Sequence, residues 1–212
     1  MSSGRTVLCY GDSLSWGVVP GTRERLPWPE RWTGVLQAQL GGGCRVIEEC
    51  LNGRTTAWDD AARPGRHGLA FLSPLLETHA PLDLVIVFLG SNDLQARYAA
   101  SAEASARGIE AIIRTIQASR AEPTHAAPAV LLVIPPAITA PAGAMREKFA
   151  GAVEKSAGLG ERYAAVARAT GCECFDAGRH VVASAVDGIH LEAAAHRVLG
   201  ERLAPVVATR LS

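Results

Sequence analysis

A chain of 212 residues in which 21 lysines and arginines face 21 acidic residues has no net charge, which excludes the broad positive field that nucleic acid or an anionic membrane surface would need. Its length and 48% hydrophobic content suffice for one buried α/β core, and no repeat, low-complexity tract or charge block divides it, so residues 1–212 are read as a single domain. Five cysteines, an odd number without a C-x-x-C pair, give neither a disulfide framework nor a metal-ligand spacing, and reduced thiols are expected.

The opening residues, MSSGRTVLCYGD, turn polar before an apolar signal core can form, so a cytoplasmic protein is expected. The first strand-forming run is TVLCY at 6–10, and it stops at Gly11-Asp12-Ser13. ERWTGVLQAQL comes next, with Leu36 and Leu40 one helical turn apart. CRVIEE at 44–49 is a second strand leading into CLNGRTT, and DLVIVFL at 83–89 is a third, ending at GSND. In ARGIEAIIRTIQ the residues Ile109, Ile112, Ile113 and Ile116 make one apolar helical stripe.

AVLLVI at 129–134 lies within an uncharged stretch, Ala126 to Met145, of about 20 residues, the length a bilayer requires. Pro128, Pro135, Pro136 and Pro141 would each remove a helix donor there, so a buried strand followed by an irregular loop fits better, and no membrane partner is expected. Met145 to Thr170 is helix-like. CECFDA at 172–177 is a fifth strand, in which Cys172 and Cys174 share a face and are read as packing residues rather than metal ligands, like Cys9 and Cys50 in their own runs. Glu192 to Leu211 closes the chain as a helix.

This βαβ alternation calls for a parallel sheet with helices on both faces. Ligands in such sheets bind beyond the carboxyl ends of the strands, where strand order reverses. The residues just past each strand are therefore informative: Gly-Asp-Ser, Asn-Gly, Gly-Ser-Asn-Asp, and finally Asp-Gly-Ile-His. Singly these are ordinary turn compositions. Together they offer the parts of ester chemistry. A serine hydroxyl needs a base to take its proton, an imidazole can do so near neutral pH, and a carboxylate fixes the imidazole tautomer and stabilises its cation. The tetrahedral oxyanion needs preorganised donors, each typically lowering the barrier by about 3 kcal/mol.

GDSL at 11–14, the glycine in NGRTT, GSND at 90–93 and DGIH at 187–190 resemble, in order and approximate spacing, blocks I, II, III and V of the GDSL or SGNH hydrolases. The likeness runs over nearly the whole chain, and CYGDSLSWG, VIEECLNGRTT and THAPLDLVIVFLGSND are similar to the arylesterase/acyltransferase branch of that family. The resemblance implies a flavodoxin-like three-layer α/β/α sandwich with a central parallel five-stranded sheet. It implies Ser13 as nucleophile, His190 as base and then acid, and Asp187 as the partner that orients His190. The oxyanion hole would comprise the backbone N–H groups of Ser13 and Gly53 and the side-chain amide of Asn92. No cofactor or metal is implied.

Four neighbours are candidates for substrate contact. Asp12 is expected chiefly to hold the Ser13 turn by accepting backbone N–H bonds, and Trp16 is either a wall of the acyl pocket or a packing residue. Asn52 and Arg54 either border the pocket or supply exposed loop polarity. Asp93 is read as a turn or cap residue. His67, His79, His125, His180 and His196 lack companion motifs and are read as surface or hydrogen-bonded core histidines.

The expected activity is hydrolysis of small, acetyl-type esters through an acyl-enzyme, with water or an alcohol as acceptor. Deacetylation of acetylated sugars is the alternative enzyme reading, and a flavodoxin-like small-molecule binding module is the non-enzyme one. The branch resemblance also implies a homo-oligomer, with the loop Pro135 to Ala144 as a candidate wall of its substrate channel.

Overall fold

The computed structural model describes residues 4–212. Its sheet contains β1 (Arg5–Gly11), β2 (Cys44–Cys50), β3 (Leu84–Phe88), β4 (Ala129–Ile134) and β5 (Glu173–Asp176). The strands lie in the order β2-β1-β3-β4-β5, with every neighbouring pair parallel. This is the flavodoxin-like order. The helices are α1 (Ser13–Trp16), α2 (Trp32–Leu40), α3 (Gly68–His79), α4 (Ala102–Ala118), α5 (Met145–Lys148), α6 (Ala152–Ala157), α7 (Leu159–Thr170) and α8 (Ala193–Leu211).

The three layers arise from the period of two along each strand. Val7 and Cys9 of β1 join Leu84, Ile86 and Phe88 of β3 and Leu131 and Val133 of β4 in a core closed by α2 and α8. The intervening Leu8, Tyr10, Val85, Val87, Val130 and Leu132 face the other way, into a core closed by α3, α4 and α7. Both faces of the central strands are thus covered, which is why their sequences are almost continuously apolar. Cys9 is buried, and Cys172 and Cys174 pack against the second core. No helix among the described residues is long and apolar enough to cross a membrane.

Packing rather than surface charge holds α4. Ile109, Ile112, Ile113 and Ile116 are all fully buried, each contributing on the order of 2 kcal/mol relative to exposure. The exposed pairs Glu103–Arg107 and Glu110–Arg114 on its outer face are each worth only about 0.3 kcal/mol. The expected single helix from Met145 to Thr170 is instead three pieces, α5, α6 and α7, interrupted at Gly151 and Gly158. Helical composition persists through this stretch, but the backbone at Gly151 is left-handed, with φ of 72°, and cannot continue an α-helix.

Where α2 meets α8, the buried His196 accepts the Trp32 backbone N–H through Nδ1 at 3.2 Å. Burial, with the Arg31 and His190 charges, lowers its pKa from 6.5 to about 4. The unfolded chain therefore takes up this proton first, so the residue's contribution is fully present above about pH 6.5 and is lost as pH falls towards 4. His196→Gln keeps an acceptor for Trp32 but does not titrate. Urea unfolding at pH 7 and pH 5 is expected to show the wild type losing about 2 kcal/mol more than this variant on acidification. Equal losses in the two proteins would mean that His196 is not held neutral by the fold.

Candidate active site

The sheet register brings three loops to one level. Gly11, the last residue of β1, pairs with Cys50 of β2 on one side and Phe88 of β3 on the other. The chain therefore leaves these three neighbouring strands together, delivering Asp12 and Ser13 from the middle, Asn52 and Gly53 from one flank, and Gly90 to Asp93 from the other. Strand order reverses at β1, where an open α/β sheet forms its crevice.

Ser13 opens α1, and the Asp12 carboxylate caps that turn by accepting the Leu14 N–H at 2.9 Å, in line with the expectation for Asp12. From the far end of the sequence, His190 places Nε2 3.2 Å from Ser13 Oγ and Nδ1 2.6 Å from Asp187 Oδ2. Asp187 Oδ1 also accepts the backbone N–H groups of Ile189 at 3.0 Å and His190 at 2.9 Å. Its Oδ2 accepts the Gly21 N–H at 3.1 Å. Burial alone would raise the Asp187 pKa, but the His190 ring and these backbone donors outweigh it and hold the carboxyl below its ordinary range. An ionised Asp187 makes Nδ1 the protonated ring nitrogen, which leaves the Nε2 lone pair facing the serine hydroxyl.

The turn carrying this pair is braced by the loop after β4. Thr139 N–H donates to Gly188 O at 3.0 Å and Ala142 N–H to Asp187 O at 3.2 Å. Gly188 has φ of 77°, and a Cβ there would come within 2.5 Å of Ala140 O, so the tight approach of the two loops requires glycine. The proline-bearing loop thus holds the Asp187–His190 turn from outside.

The loops that leave β1, β2 and β3 side by side carry the three candidate oxyanion donors. The Ser13 N–H is the first of a helix and has no partner within it. Gly53, with φ of 81°, turns the chain that leaves β2. Asn92 donates through Nδ2 to Asp12 Oδ2 at 3.0 Å, while its Oδ1 accepts from Gln95 Nε2 at 2.7 Å. These two bonds fix which way the carboxamide faces and leave the second amide hydrogen without a partner among the described residues. Burial raises the pKa of Asp12 to about 6, against its hydrogen bond from Leu14 and the charge of His190.

Two neighbours, Asp93 and Arg54, sit differently from expectation. Asp93 does not cap its own turn; it reaches across to accept the Thr56 N–H and hydroxyl, both at 2.8 Å, and the Ser105 hydroxyl at 2.5 Å, tying the loops after β2 and β3 together. Burial pushes its pKa up to about 7 despite those bonds. Arg54 is buried with its guanidinium 4.2 Å from the Tyr10 ring centroid, donating to the Gly11 and Glu49 carbonyls, so it braces the sheet end rather than lining the crevice as exposed polarity. The half-buried Trp16 ring carries the Arg25 guanidinium 4.6 Å from its centroid. The Asn52 carbonyl accepts from Arg63 at 3.0 Å and Arg66 at 3.2 Å.

Two contributors had no signal in the sequence. Gly21 supplies a backbone donor, which no residue type encodes. Gln95 lies just beyond the GSND block, where a polar residue is unremarkable; only its bond to Asn92 singles it out.

Fold and family together make this chain a carboxylic ester hydrolase of the three-layer α/β class. Residues 9–198 match the GDSL-like lipase/acylhydrolase family, and the chain belongs to it. No curated protein matches. Among solved structures, the native aryl esterase of M. smegmatis is 38% identical with a TM-score of 0.93, over 97% of this chain and 99% of its own. Est24, a carbohydrate acetylesterase from Sinorhizobium meliloti, is 36% identical with a TM-score of 0.93 over the same shares, 97% and 99%. A carbohydrate acetylesterase family member from Sinorhizobium meliloti is 40% identical with a TM-score of 0.94, over 98% of this chain and 99% of its own.

Proposed function

We propose that this esterase hydrolyses small, acetyl-type carboxylic esters through a Ser13–His190–Asp187 triad and an acyl-enzyme. The observation that carries the proposal is the hydrogen-bonded succession Ser13 Oγ, His190 Nε2 and Nδ1, Asp187 Oδ2, at 3.2 and 2.6 Å. Ser13 Oγ attacks the ester carbonyl carbon while its proton passes to His190 Nε2. The oxyanion is met by the N–H groups of Ser13 and Gly53 and the free amide hydrogen of Asn92. The carbon–oxygen bond to the alcohol then breaks, and His190 returns the proton to the departing alkoxide. Water, or a second alcohol, attacks the acyl-serine by the reverse proton path, giving hydrolysis or acyl transfer.

Likeness to two carbohydrate acetylesterases favours a second substrate class, acetylated sugars. Side-by-side kcat/KM values for an aryl acetate and a peracetylated monosaccharide rank the two. For the mechanism itself, an aryl phosphonate is expected to add once per chain and to be found on Ser13 by peptide mass mapping. A label on any other residue, or none, refutes the assignment. Assembly as a homo-oligomer is part of the same proposal and is tested by native mass.

A further inference from the structure

Beside the Gly53 and Asn92 loops the chain collects cations from three separate segments. Arg63 and Arg66 converge on the Asn52 carbonyl, and a Cβ added to Gly53 would lie 2.8 Å from Arg63 Nη1, so that guanidinium abuts the Gly53 backbone. On the other flank, Arg97 donates through Nε to Gln95 Oε1 at 2.9 Å, and Gln95 holds the Asn92 amide. Lys148 ends α5, which packs against the turn Ala96–Tyr98 that carries Arg97. Its ammonium lies 5.5 Å from the Phe149 ring centroid, and its pKa is lowered by burial and then by the Arg63 and Arg97 charges, while Asp12 and Asp60 act in the opposite sense.

Of these four cations only Arg97 has a carboxylate partner among the described residues, Asp60 at 3.0 Å. Arg63, Arg66 and Lys148 are half-buried and without an ion pair there. Like charges gathered in partly desolvated positions repel, and burial lowers the Arg66 pKa together with the Arg63 charge, with Asp60 acting in the opposite sense. A chain with no net charge has no global reason to concentrate them here. An incoming anion would relieve that repulsion while its ester group meets Ser13.

We propose that Arg63, Arg66 and Lys148 form an anion-recognition subsite at the mouth of the active site, and that the enzyme's preferred esters carry a carboxylate or similar anionic group. This rests on Ser13 acting as the nucleophile. The test uses two matched pairs: a para-nitrophenyl hemiglutarate against para-nitrophenyl pentanoate, with the charge on the acyl side, and para-acetoxybenzoate against its methyl ester, with the charge on the leaving group. In at least one pair the charged-to-neutral ratio of kcat/KM is expected to favour the charged ester about tenfold at low ionic strength. That ratio should fall about tenfold in Arg63→Gln/Lys148→Met, and also in the wild-type enzyme as salt rises from about 0.01 M to about 0.5 M. Ratios in both pairs that ignore both the salt and the double substitution overturn the subsite while leaving the esterase mechanism standing. If no ester is turned over, charged or neutral, the Ser13 mechanism itself has failed.

Discussion

Ser13→Ala is expected to lower kcat for an aryl acetate by a factor of about 10⁴ or more, because the covalent path is removed and only the donors and the binding surface remain. The hydroxyl is bonded to His190 Nε2 at 3.2 Å, and the Asp12 cap that holds the turn bonds Leu14 rather than Ser13, so the fold should survive the change. Stopped-flow release of the aryl alcohol measures the burst, and thermal melting of the same sample checks folding. Loss of the burst with an unchanged melting curve is the expected pair of results. A burst that persists in the folded variant would place the nucleophile elsewhere.

Asp187→Asn should be nearly as damaging, lowering kcat by a factor on the order of 10⁴. Four hydrogens point at the Asp187 oxygens: the N–H groups of Gly21, Ile189 and His190, and the His190 ring N–H at Nδ1. An amide keeps one acceptor oxygen and sets an NH₂ against the remaining donors. The ring then escapes that clash by moving its proton to Nε2, where it can no longer accept from Ser13. Stability should fall as well. The Asp187 pKa is depressed in the folded state, so its contribution is present above the ordinary value of 3.8 and disappears as pH drops through the folded value. The variant should therefore be less stable than the wild type near neutrality, and the gap should narrow below about pH 3.8 in urea unfolding series. A variant with the wild-type pH–rate profile would show that Asp187 does not set the His190 tautomer.

Much of this architecture was legible in the residues. Near-continuous apolar runs such as DLVIVFL and AVLLVI, too short for most helices and bounded by turn residues, read as strands covered on both faces, and each of the five strands falls within a residue of its expected ends. The stripe of Ile109, Ile112, Ile113 and Ile116 marks a helix with one buried face. Helix interruptions were less legible, since the composition around Gly151 stays helical and the break depends on a single backbone angle. The candidate site was legible where short blocks carry their own turn chemistry. Asp187 and His190 are three residues apart in one loop, and Asp12 caps the residue after its neighbour. Arg54 and Asp93 were not, because a polar loop residue looks the same in sequence whether it meets solvent or a buried carbonyl.

By itself the sequence determined the periodicities, and with them the strands, most of the helices and the polar blocks at the strand ends, because hydrophobic spacing and turn preference act over a few neighbouring residues. Only the tertiary structure decided that Ser13 and His190 meet, that Gly21 donates to Asp187, that Gln95 steadies Asn92, and that Arg63 abuts Gly53 while Arg97 holds Gln95. Those contacts join residues far apart along the chain, and such meetings are set by strand order, register and loop path, which fix where a side chain arrives but leave no mark on its immediate neighbours.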